Sequence, residues 1–268
     1  MNDANAGGRA VARPAPPLRS VAALAALELR LTARRGENVL VTLVIPAAVL
    51  LFFGGVAVPP GLPARPADHL LPGTIALAII ASGLVNLGIA TAYERSSGVL
   101  KRLGGAPLPR WGLLAAKASA LLVLELVQVL LLVAVAVVAF GWAPGPSWSP
   151  ILAAVAIGLG TLAFAALGLL LAGTLRAEAT LALANGLFLG FLMLGGLIVP
   201  VDQLPAFLKA VGAALPATAL GDVLRIALES GVPVAPAGPG TAAGPLAILA
   251  TWATGATVLA VRFFRWDA

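Results

Sequence analysis

Six stretches of the chain, 39–58, 70–92, 113–140, 151–175, 181–201 and 246–264, run for about twenty residues or more with almost no charge. About twenty apolar residues in a helix cross the roughly 30 Å of hydrocarbon in a bilayer, so each stretch is long enough to span one. Backbone amides in lipid must be satisfied within the segment or in a closed barrel, and the alternation that barrel strands require is missing here. Helix is therefore forced. Composition agrees: 60% of the 268 residues are hydrophobic and 10% charged, which leaves too few charges to clothe a soluble domain of this length. The expected fold is an all-α integral membrane protein of six spans. The last span is the weakest, because Arg262 lies inside it and must snorkel to the interface.

Charge then orients the spans. Fourteen of the seventeen Lys and Arg residues fall on one side of a six-span arrangement, and only Arg65, Lys209 and Arg225 on the other. The positive-inside rule places both termini and the loop 94–110 in the cytoplasm, in a cell membrane crossed several times. The same rule accounts for the surplus of Arg without nucleic acid, for which no motif is present. Residues 1–17 read as a flexible cytoplasmic tail, and 18–268 as one transmembrane domain.

Two segments outside the spans carry pattern. Residues 18–35 are too charged to span yet rich in Leu and Ala, and at 100° per residue Arg19, Arg30 and Arg34 share one stripe. This predicts an amphipathic helix in the cytoplasmic interface, its arginines toward lipid phosphates or a docked protein. The outer segment 202–245 follows a span that ends near Pro200, and it is broken by Pro205 and Pro216. Short helices that dip into the outer leaflet or lie across a pathway mouth fit it, and so does an interfacial cap.

Chemistry is sparse. Without cysteine the chain has no disulfide, thiolate ligand or thiol nucleophile. No Gly-x-x-x-x-Gly-Lys-Ser/Thr phosphate loop occurs, so ATP binding by that device is not expected, and neither is a cofactor or metal on this chain. His69, the single histidine, reads as a solvated residue at the outer end of the second span. Glu125, with Gln128 near it, lies in the hydrocarbon, where an ionised carboxylate costs about 3 kcal/mol; it serves either a pathway or a hydrogen bond between helices. Asn86 and Asn185 admit the same two readings. Gly158, Gly160 and Ala163 read as close helix packing, and Ala182, Gly186 and Gly190 as a small-residue face for another helix.

The loop after the second span is the strongest lead. It contains Glu94, Arg95, Gly98, Leu100, Lys101, Leu103 and Pro107, in a pattern of Glu-Arg-x-x-Gly-x-Leu-x-x-Leu followed by Pro. Together with the amphipathic helix, six spans and a Pro-marked outer segment, this resembles the permease subunit of an ABC type-2 transporter, over residues 18–264. The resemblance implies that 94–110 is a coupling helix seated in a groove of a separate ATPase subunit. Two permease chains, identical or related, would share a pathway with two ATPase copies, which carry the ATP and Mg. On that pattern Glu94 and Arg95 form polar contacts with the ATPase, Gly98 the bend, and Leu100 and Leu103 an apolar plug, with Lys101 reaching acidic groups. Pro200, Pro205 and Pro216 would mark an outer gate. The implied function is export of a hydrophobic or amphipathic drug-like or lipid-like compound, without covalent chemistry. The alternative is a secondary transporter that uses Glu125 as its ion site.

Overall fold

The computed structural model describes residues 17–34, 36–56, 65–100, 110–146, 148–199, 204–228 and 241–265. Among these, every regular element is helical. Helix α1 covers Pro17–Arg34. Helix α2 covers Gly36–Leu51 and continues as a π-helical turn, Phe52–Val56. Helix α3 is one rod, Pro66–Ser96, with its middle, Ala81–Leu87, wound as a π-helix. Then follow α4 (Arg110–Phe140), α5 (Pro150–Thr174), α6 (Ala177–Leu194), α7 (Ala206–Ala213), α8 (Pro216–Leu228) and α9 (Ala243–Phe263).

Five of these helices, α3, α4, α5, α6 and α9, are long and apolar enough to cross a membrane, and α7 with α8 makes a sixth if that pair, bent by 77°, counts as one span. The apolar stretch of α2, Thr42–Val56, is shorter than those five. The protein is thus a multi-pass membrane protein. The fifth expected span, 181–201, lies earlier, at Ala177–Leu194. Glu178 in its first turn favours a start directly after Arg176, since a carboxylate suits a helix N-terminus. Gly196, with φ of +64°, lies just beyond its end.

The interior forms around α5 and α8. Helix α5 packs on α9 and α3, and α8 packs on α3, α5 and α9. Where α3 crosses α5 the backbones nearly touch: a Cβ on Gly83 would sit 2.9 Å from the Ala165 nitrogen, and one on Gly168 would collide with the Gly83 carbonyl. Such close approach is how membrane helices gain packing without a hydrophobic driving force between them. Gly160 likewise admits the Leu220 side chain of α8. Gly158 does not share this role, because a Cβ there would meet nothing; it faces away from the neighbours that Gly160 and the buried Ala163 contact.

Helix α8 is no surface cap. Twelve of its thirteen residues are buried, Asp222 and Arg225 included. Arg225 donates to Asp222 Oδ1 at 2.8 Å and to the Gly196 carbonyl at 2.5 Å, and the amides of Gly145 and Ser149 take the terminal carbonyls of Leu228 and Ala227. A helix end whose carbonyls and charges are met by protein can be buried, which is what its Pro-marked sequence did not disclose. His69 also departs from expectation: it is buried, not solvated, because α8 packs over the N-terminal part of α3.

Candidate functional site

Helices α1, α2, α3 and α4 line an open-sided cavity of about 800 Å3. Its apolar wall includes Leu31, Leu43, Leu87, Leu121 and Leu124. Its polar wall is supplied chiefly by the π-helical middle of α3, which carries Ser82 and Asn86, and by Gln128 of α4 and Thr42 of α2. A π turn adds a residue to the helical circuit and re-aims the side chains around it, and such turns gather at functional sites. Gln128 Nε2 donates to the Thr42 carbonyl at 2.6 Å, and Asn86 Nδ2 to Thr42 Oγ1 at 3.4 Å, so α2, α3 and α4 meet through these amides.

The end of the cavity beside the loop is charged. Lys117 of α4, almost fully buried, places its Nζ 2.8 Å from Glu28 Oε1 of α1 and 2.9 Å from Glu94 Oε2 of α3. One ammonium therefore joins three helices, and a buried ion cluster of this kind fixes register because any other arrangement strands a charge.

The turn that follows α3 is held just as firmly. Arg95 donates to the Leu175 carbonyl at the end of α5. Gly98 adopts φ of +75°, a left-handed conformation that glycine enters without a Cβ penalty, and so breaks the helix after Ser97. Leu100 is fully buried in a cluster with Leu24 of α1, Leu113 and Ala116 of α4, and Phe264.

In this conformation Glu94 gives one carboxylate oxygen to Lys117, Arg95 donates to the Leu175 carbonyl, and Leu100 packs against α1, α4 and Phe264. Lys101, Leu103 and Pro107 lie outside the described residues, as does Pro200. Glu125 is buried away from the cavity, where it hydrogen-bonds with Thr161 of α5. Of the other pathway candidates, Asn86 and Gln128 come together on the cavity, whereas Asn185 lies on the exposed side of α6 and donates to Leu181 O at 2.8 Å. Ala182 and Gly186 share that exposed side, and a Cβ on Gly186 or Gly190 would meet nothing within 4 Å among the described residues. Pro205 caps the start of α7, and Pro216 opens α8. Among the described residues no group of three or more His, Cys, Asp or Glu is placed to hold a metal ion.

Residues 19–228 match the family model described as ABC-2 type transporter. The chain belongs to the ABC-2 type transporter family. It is also 28% identical over 203 residues to a protein of Bacillus subtilis (strain 168) named "Putative transport permease YvfS", a match that covers 72% of this chain and 79% of that one. The family's matched region takes in every residue that lines the cavity. The protein is accordingly a membrane permease of an ABC transporter.

Proposed function

We propose that this permease forms half of the pathway of an ATP-driven exporter and is coupled through 94–110 to a separate ATPase subunit. The observation that carries this reading is that Glu94, Ser96 and Ser97, at the start of 94–110, themselves line the cavity together with Lys117. A push on the loop therefore moves the cavity wall itself, with no intervening element. Residues 101–109 make the outward contact, with Lys101 for acidic groups, Leu103 as the apolar plug and Pro107 as the stop, while Glu94, Arg95, Gly98 and Leu100 fasten the loop to the bundle.

ATP and Mg bind on the ATPase, two copies of which serve two permease chains. The exposed face of α6, with Asn185 beside the open Gly186 and Gly190, supplies a surface on which the second permease chain can pack closely. Closure of the ATPases tilts α3 and α4 and changes which side the cavity opens to, and the α7–α8 elbow with Pro205 and Pro216 gates the exit. The termini and the loop lie in the cytoplasm, a placement that the excess of Lys and Arg on that side supports. The cargo is a hydrophobic or amphipathic compound, consistent with the Leu-lined wall.

Co-purification with the ATPase subunit tests the coupling. Leu103→Asp loses the ATPase while the permease still inserts in the membrane; unchanged co-purification would sink the assignment. Leu100→Asp is the contrasting variant, since it buries a charge within the chain and should lower permease stability first.

A further inference from the structure

The charges on the cavity are arranged asymmetrically. Lys117 has 1% of its side chain exposed, whereas Glu28 and Glu94 have 18% and 25%. The ammonium is sunk behind the two carboxylates, and each carboxylate keeps one oxygen that Lys117 does not engage. Among the described lining residues, two negative charges and one positive leave a net charge of −1. Partly sheltered from water by the cavity walls, such a charge attracts a cation and repels an anion more strongly than it would in bulk solvent.

Ser82 stands on the same wall, its buried hydroxyl without a hydrogen-bond partner among the described residues. Tyr93 brings an aromatic ring to the same wall as Glu94, and a ring face attracts a cation. The volume lies within the roughly 300–1,000 Å3 of small-molecule sites, and the leucines along the rest of the wall suit an apolar body.

We propose that this cavity is a binding site for a hydrophobic organic cation, a molecule with one positive charge set between Glu28 and Glu94 and an apolar body against the leucines of α2, α3 and α4. This names the cargo class of the exporter proposed above; transport of that cargo rests on the exporter reading, but binding does not.

Tetraphenylphosphonium and tetraphenylborate have nearly the same shape and opposite charge. The full-length chain in lipid nanodiscs, with empty nanodiscs as background, is titrated with each by equilibrium dialysis. Saturable binding of tetraphenylphosphonium, at least about tenfold tighter than that of tetraphenylborate, is expected, and Glu28→Gln and Glu94→Gln should each weaken it by roughly three- to tenfold. Each variant leaves Lys117 one carboxylate, so the fold keeps its pairing; the comparison of the two ions on the unaltered chain needs no variant at all. Absence of saturable cation binding, equal or tighter binding of the anion, or cation binding that both substitutions leave untouched would overturn the proposal. Scoring ATPase co-purification on the same preparations separates the two readings: loss of cation binding with the ATPase retained removes only the ligand class.

Discussion

Lys117 shows how much a single side chain can organise in a membrane bundle. Its ammonium is buried and balanced by carboxylates from two other helices, so Lys117→Met leaves Glu28 and Glu94 facing each other without a counter-charge. Breaking a buried pair in this way costs about 3 kcal/mol, and thermal unfolding in detergent should show a loss well beyond that of Glu28→Gln or Glu94→Gln alone. Arg225 belongs to the same class. Arg225→Met strands Asp222 and the Gly196 carbonyl inside the protein, with an expected cost also of about 3 kcal/mol on the same measurement. Glu125 differs, because an amide can still hydrogen-bond with Thr161; Glu125→Gln should retain export, and abolished export would return the residue to the pathway. Residue roles were only half legible in the sequence. Glu28 was open to detection: it stands opposite the stripe of Arg19, Arg30 and Arg34 at about 100° per residue, a carboxylate on the apolar side of α1. Leu100 was not, since nothing in a Leu-x-x-Leu spacing tells whether its face meets a partner or the chain's own α1, α4 and Phe264.

At the level of helices, the apolar runs found the long elements because length and hydropathy alone decide what can cross a bilayer. They did not find orientation. A helix that is apolar all round carries no moment to say which side is inside, so Gly158 and Gly160 looked equivalent although only Gly160 meets a neighbour. The distinction is measurable. Gly168→Ala forces α5 off α3, and Gly73→Ala drives a methyl into the Leu197 carbonyl; each should cost about 1–3 kcal/mol in thermal stability. Gly158→Ala meets open space and should be neutral or stabilising by up to about 1 kcal/mol, through helix propensity. The π-helical middle of α3 and the burial of α8 were hidden for a related reason. The first brings Asn86 to Thr42 of α2, and the second is held by Arg225 and by the amides of Gly145 and Ser149, contacts between elements that no single run of sequence displays.

For the whole molecule, family membership and the multi-pass fold stand on the match to residues 19–228 and on the helices themselves, while orientation stands on the distribution of Lys and Arg. Because the natural chain has no cysteine, single replacements report sidedness cleanly. Ser97→Cys, exposed beside the loop, should react with a membrane-impermeant maleimide only from the cytoplasmic side, and Phe207→Cys of α7, 69% exposed, only from the outside. The opposite pattern would invert the topology and remove the loop from the ATPase. The most direct test of the account is transport in vesicles that contain this permease alone or together with its ATPase subunit. Movement of a hydrophobic cation that requires both subunits and ATP hydrolysis is the predicted result. Movement by the permease alone, driven by an ion gradient and indifferent to ATP, would contradict it.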